Sequence, residues 1–272
     1  PGTPAARAAA GRAAATAQAI DPKSIETVGS LDRLEAIIDE AYALGRVALA
    51  AALTHSDPML AELTGLALAT APGKAAYVPL GHRSGADDLL GAGRLPGQIE
   101  AAAAIARLKP LLEDPAILKI AHDLKPLALF LARRGVRLAP YDDAILLSYA
   151  LDAGKGGNGL AELSERWLGH TPIPMKEVTG SGRTAVALAE VPLERATEVV
   201  GESADIALRL WMVLKPRLVA EGMVTLYETL ERPMVPVLAR METRGIRVDR
   251  QILSRLSGEF AQKLGAETSF VR

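Results

Sequence analysis

The chain has 272 residues, enough for one large domain or a domain with an appendage, and 49% of them are apolar against 4% aromatic, so its core must be mostly Leu, Val, Ile and Ala. With 31 Lys+Arg against 32 Asp+Glu the net charge is −1, which excludes a strongly basic free-standing nucleic-acid clamp. The absence of Cys excludes a disulfide scaffold and thiolate metal sites, and no apolar run reaches the roughly 18 residues of a membrane span.

Residues 1–20 are Ala, Gly, Pro and Thr with a few Arg, the composition of a flexible linker. The chain opens on Pro1 and ends on GAETSFVR in the middle of a helical pattern, as expected of a piece of a longer polypeptide. Ser30 is a good N-cap for a helix over 31–43. Strand-like stretches follow at 46–53, 64–70 and 75–80. The breaks between them, Ser56-Asp57-Pro58 and Ala71-Pro72-Gly73, predict an antiparallel meander. Residues 82–96 read as a surface loop. Next come a helix over 98–112, a buried strand over 117–121 and a helix over 124–134 stopped by Gly135. Helices over 142–151 and 160–168, a Pro- and Gly-marked loop over 171–183, and a long helix from Pro192 to about residue 220 complete this part. Strands first, then strands alternating with helices, predict an α/β fold with a mixed sheet. Past Gly222 the pattern changes to a long helix over 223–244, an extended piece over 245–248 and a last helix capped by Asp249, which puts a domain boundary near 221.

The familiar chemical signals are weak. Gly154-Lys155-Gly156-Gly157-Asn158-Gly159 fits a dinucleotide fingerprint, but a helix precedes it where a strand is required, so it reads as a loop between helices. His55, His82, His122 and His170 form no pair at metal-ligand spacing. His170 follows a helix end, and His122 stands where a strand runs into a helix. Ser181 lacks the strand a nucleophile elbow needs. Arg133-Arg134 offsets a helix dipole, with a phosphate contact as the weaker reading. Trp167, Trp211, Tyr77 and Tyr149 read as core residues.

Carboxylates are the informative absence. A two-metal phosphodiester hydrolase needs several acids converging on its ions, and the stretches 46–53 and 117–121 carry none. Asp123 reads as the N-cap of the next helix. Glu202 and Asp205 share a helix face and read as solvated charges, with one weakly held ion as the alternative.

Several segments resemble the middle domain of bacterial DNA polymerase I: 108–114 (LKPLLED) with 117–125 (ILKIAHDLK), 142–149 (DDAILLSY) and 163–170 (LSERWLGH). Residues 231–238 (ERPMVPVL) and 244–249 (RGIRVD) are similar to the junction into that family's polymerase thumb. The resemblance covers about residues 20–265. It implies a ribonuclease-H-like 3′-5′ exonuclease fold, with a mixed central sheet flanked by helices, then the first helices of a thumb. The implied domains are a linker over 1–20 after a 5′-nuclease domain, an exonuclease-like domain over 21–221, and the start of the polymerase domain over 222–272. Active members of the family hold two Mg²⁺ ions with an Asp-x-Glu pair on the first strand, an Asp after a Leu-Lys, and a Tyr-x-x-x-Asp pair on a late helix. Counting from Leu63-Thr64-Gly65-Leu66 and Pro72-Gly73 puts the first pair on Ala50 and Ala52. The acid after Leu124-Lys125 falls on Leu127, and the last pair on Val199 and Ser203.

None of these five side chains is a good Mg²⁺ ligand. Packing should partly fill the former site, because apolar side chains there replace mutually repelling carboxylates. The resemblance thus implies a fragment of a cytoplasmic, replication and repair DNA polymerase I whose exonuclease-like domain is a pseudoenzyme. The fragment would need no metal or cofactor, Mg²⁺ belonging to the parent's polymerase domain, and would meet no membrane. Its partners would be the polymerase and 5′-nuclease domains in cis and, through the parent, DNA, with His122, Asp123, Lys125 and Arg133 as candidates for weak contact. Two alternatives stay open. One is an active exonuclease with ligands rearranged onto Glu202, Asp205, Asp123 and Asp57. The other is a protein-binding module that uses the old cleft or the loop around Gly180.

Overall fold

The computed structural model describes residues 2–84, 93–182 and 185–270. They fall into two compact units, Pro1–Ala239 and Arg240–Arg272. The first is built on a six-stranded sheet of order β1-β4-β3-β2-β5-β6. Strands β2 (Arg46–Leu53), β3 (Leu63–Ala71) and β4 (Lys74–Pro79) form the expected antiparallel meander. Strand β5 (Leu118–Ala121) lies parallel to β2 on its other side, and β6 (Tyr141–Asp143) lies parallel to β5. Residues Glu26–Thr27 (β1) pair with β4.

The strands alternate as a sheet covered on both faces should. Val47, Leu49, Leu66 and Leu68 face one core layer with Leu34, Ile37, Ile38 and Ala41 of α2 (Leu31–Leu44) and Leu108 and Leu112 of α3 (Ala101–Glu113). Ser30 starts α2, its Oγ accepting from Arg33 N, and Gly45 ends it in the left-handed conformation. The opposite face carries small residues, Ala48, Ala52, Ala67 and Ala69, against Ala196, Val199, Val200 and Ala204 of α8 (Leu193–Ala220). Short side chains let this long helix lie close to the sheet. Helices α4 (Leu124–Ala132), α5 (Ala144–Asp152), α6 (Leu160–Leu168) and the short α7 (Met175–Thr179) lie between β5 and α8 in sequence. The Gly154–Gly159 run is the connection from α5 to α6.

Several details differ from the expectations. The stretch 142–151 does not begin as helix, because Tyr141, Asp142 and Asp143 pair with Lys119, Ile120 and Ala121 of β5. The Ala-rich start is helical over Pro4–Thr16 (α1). Tyr149 is 49% exposed, on the outer side of α5. His82 is buried, its Nε2 within 2.8 Å of the Tyr77 hydroxyl, so the expected surface loop begins inside the core. Burial lowers the His82 imidazole and raises the Tyr77 phenol. Residues 85–92 of that loop, and Arg183 of the 171–183 loop, lie outside the described residues.

Two buried charges tie the elements together. Lys119 donates to the carbonyls of Asp114, Ile117 and Ala139 at 2.7 to 2.9 Å, and burial brings its ammonium down to about 8. Asp142 accepts from Trp211 Nε1 and the Tyr227 hydroxyl at 2.8 Å, from Lys215 Nζ at 3.1 Å and from Arg232 Nη1 at 3.4 Å. It joins β6 to α8 and to the segment after it, where Val224–Leu226 (α9) passes through a wide turn, Tyr227–Glu231, into α10 (Arg232–Arg244). The compact unit therefore continues past the boundary expected near 221. In the second unit Asp249 caps α11 (Arg250–Phe270), as the sequence predicts, accepting from Gln251 N at 2.9 Å.

Candidate functional site

Strand β2, the junction of β5 with α4, and α8 meet around a cavity of about 280 Å³. Its walls include Ala50, Ala51 and Leu53 from β2, His122 and Asp123 from the junction, Leu127 from α4 and Ser203 from α8. Three of the five register positions, Ala50, Leu127 and Ser203, thus border one space. The other two do not. Ala52 and Val199, each 2% exposed, are packed into the apolar layer between sheet and helix, with Ile173, Val178 and Leu188 laid against it. Val199 is covered by packing, while Ala52, though buried, also borders a second cavity beside α7.

Ser203 and His122 at the opening are already engaged. The Ser203 hydroxyl donates to Val199 O at 2.9 Å, back onto its own helix. The His122 Nε2 donates to Asn158 O at 2.8 Å, fixing the ring against the α5–α6 loop. Asp123 has φ 57° and ψ 66°, a left-handed conformation uncommon for a residue other than Gly. Its carboxylate does not cap α4, contrary to expectation. Asp143 does that work, accepting from Asp123 N at 3.2 Å and Leu124 N at 2.7 Å. The same carboxylate caps α5 through Ile145 N at 2.8 Å. Burial raises the Asp143 carboxyl, while these backbone donors and His122 pull the other way. The signal that could have found this cap is the acidic pair 142–143 standing just ahead of an apolar run.

Glu202 and Asp205 are not solvated. Glu202 accepts from His170 Nε2 at 2.7 Å and Ile173 N at 2.8 Å, holding the loop after α6. Asp205 accepts from Gly73 N and Arg209 Nε, both at 3.0 Å, and burial raises its carboxyl against the pull of Arg209. Asp57 lies exposed in the β2–β3 loop and accepts from Met59 N. Lys125 is half-buried on the first turn of α4, and Arg133 is exposed at its end, donating to Pro58 O at 3.1 Å. Beside α7 and the end of β2 the second cavity, of about 360 Å³, borders His55 and Thr179, next to the loop around Gly180.

The donor set does not fit the two Mg²⁺ ions of an active exonuclease. Such ions need oxygen ligands in near-octahedral order, mostly carboxylates. Among the lining residues Asp123 supplies a carboxylate and the rest of the wall is mainly aliphatic. Among the described residues, no group of three or more His, Asp or Glu is placed to hold a metal ion.

A mixed sheet with an antiparallel meander, one long helix across its small-residue face and a cavity at the end of the central strand is the ribonuclease-H-like 3′-5′ exonuclease fold. NrnC of Brucella melitensis shares it, with a TM-score of 0.56 over 75% of this chain and 88% of that one, at 19% identity. The chain belongs to the 3′-5′ exonuclease family as it occurs in bacterial DNA polymerase I: the family's model matches residues 25–219. It is 51% identical to DNA polymerase I of Rhizobium leguminosarum over 251 residues, 89% of this chain and 25% of that protein. It also matches the POL domain of Pol1 from M. smegmatis, in complex with DNA primer-template and dNTP, at a TM-score of 0.64 and 25% identity, covering 87% of this chain and 35% of that one. The chain spans about a quarter of the length of the curated relatives it matches. No helix among the described residues is long and apolar enough to cross a membrane.

Proposed function

We propose that this is a catalytically silent exonuclease-like domain, joined to the start of a polymerase thumb, whose work within a cytoplasmic DNA polymerase I is to hold the neighbouring polymerase and 5′-nuclease domains in place. The observation that supports this reading is the cavity wall, lined by Ala50, Leu127 and Ser203, the residues that the resemblance to the family sets where active members carry metal ligands. Without carboxylates to gather cations, nothing there generates a metal-bound nucleophile or neutralises the charge that develops on the scissile phosphate. The domain uses no metal of its own, and Mg²⁺ serves the polymerase domain of the parent. DNA is met chiefly through the parent. Contact here is weak, at the cavity rim of His122 and Asp123 and along α4 at Lys125 and Arg133, because the net charge of −1 offers little counterion release.

The rival reading, an exonuclease with rearranged ligands, needs Glu202 and Asp205 to turn toward the cavity. Each would then leave a buried network and strand His170 or Arg209. A single-stranded oligonucleotide labelled at its 3′ end, incubated with the chain and Mg²⁺ or Mn²⁺, should release label no faster than with a mock preparation. Metal-dependent release above that background, abolished by Asp123→Asn, would overturn the proposal.

A further inference from the structure

Helix α1 has the composition of a linker, yet it is held against α8 and α6 along its length. Ala15 is fully buried. Gly11 passes so close to α8 that a Cβ there would collide with the carbonyl oxygen of Met212. The Arg12 guanidinium lies 5.9 Å from the Trp167 ring centroid, a ring that Arg217 covers at 4.2 Å.

The fourth contact is the most demanding. Arg209, 1% exposed, donates from Nη1 to Ala15 O at 2.8 Å and to Gln18 O. These carbonyls belong to the end of α1, where a helix leaves acceptors unsatisfied and its dipole attracts a cation. Arg209 is in turn oriented by Asp205, whose other oxygen accepts from Gly73 N in the β3–β4 turn. The pair therefore joins three elements: the sheet, α8 and the end of α1. A guanidinium in this position without the carbonyls of α1 would be a buried cation short of acceptors, a costly state.

We propose that the surface formed by Arg209 and Met212 of α8 with Trp167 of α6 is a docking site for a glycine-bearing helix C-terminus, that α1 of the same chain is its occupant, and that the Asp205–Arg209 pair is the latch. Chain preceding α1 is then held at a fixed place on the exonuclease-like domain and does not swing on a tether. This inference does not depend on the catalytic state of the cavity, and its test reads no activity.

Because the chain has no Cys, an Ala9→Cys substitution on the exposed side of α1 gives a single attachment point for a fluorophore. Time-resolved anisotropy of the labelled full chain should show α1 tumbling with the domain. Gly11→Leu favours the isolated helix but blocks its approach, and should cut the slow anisotropy component by about half or more as nanosecond motion appears. Asp205→Asn combined with Arg209→Met should do the same, and trypsin should cut after Arg7 and Arg12 about tenfold faster in both variants. Should the double variant fail to fold, Gly11→Leu decides alone, since it leaves the buried pair intact. Fast local motion in the unmodified chain, or a slow component that survives Gly11→Leu unchanged, would overturn the proposal.

Discussion

Asp142→Ala should lower the unfolding free energy of the chain by about 3 kcal/mol or more, the range for removing one partner of a buried charge network. The carboxylate is 1% exposed and receives two neutral and two cationic donors from α8, the turn over Tyr227–Glu231 and α10. Removing it leaves the Tyr227 hydroxyl and the half-buried Trp211 Nε1 without that acceptor, and Lys215 and Arg232 with Glu228 alone as their shared anion. Asp142→Asn keeps one acceptor oxygen and the shape, so it should cost less. Urea unfolding followed by the fluorescence of Trp167 and Trp211 together should give the ladder wild type, Asn, Ala in falling order. Amide exchange should accelerate over residues 224–232 before it does in the sheet, because Asp142 supplies the charged part of the bonds that tie that segment to β6, beside those of Tyr141 and Asp143. Equal stabilities for wild type and Asp142→Ala would mean that the network contributes nothing to joining β6 and α8 to the segment over 224–232.

Restoring acids at the register positions should expose the asymmetry of the site. Ala52→Glu places a carboxylate in the apolar layer beside Val199, at the edge of the second cavity, at a cost of roughly 1–3 kcal/mol at neutral pH. Ala50→Asp, whose position borders the cavity, should cost about 1 kcal/mol or less because water can reach the new group. The two differ in pH dependence as well. Burial raises the pKa of the Glu in the folded state above its unfolded value of about 4.3, so the folded form holds its proton more tightly. The destabilisation from Ala52→Glu is therefore largest above the raised pKa and is relieved as pH falls toward the unfolded value. Denaturation midpoints at pH 7.5 and 5 should converge on wild type at the lower pH for Ala52→Glu and stay nearly parallel for Ala50→Asp. A neutral, pH-independent Ala52→Glu would show that the new side chain reaches the second cavity and stays solvated.

Much of this architecture is written in short-range chemistry. Strand β2 and helix α6 run over 46–53 and 160–168 as their sequences indicate, because Gly45 and Gly169 end the helices next to them and the apolar periods are long enough to read. Ser30, Gly135 and Asp249 act as punctuation close to where the pattern predicts. Strands β1 and β6, of two and three residues, are too short for any period to emerge, and β6 owes its state to a parallel neighbour twenty residues back. An Ala- and Gly-rich run has the same composition in a tether and in a docked helix. The difference for α1 is made by Arg209, nearly two hundred residues away. Glu202 and Asp205 read as surface charges for the same reason, their partners His170 and Gly73 being remote in sequence. For the site positions flanking motifs give an expected register, but that Val199 is packed while Ala50 and Ser203 border the first cavity and Ala52 the second comes from the seating of the helices on the sheet.

Calorimetric titration of the full chain with Mn²⁺ addresses the central claim without reference to substrate. The cavity presents aliphatic walls and a single carboxylate from Asp123, so no saturable heat should appear beyond that of dilution, and the melting temperature should stay unchanged with the ion present. Binding of two ions per chain, lost on Asp123→Asn or Glu202→Gln, would contradict the account.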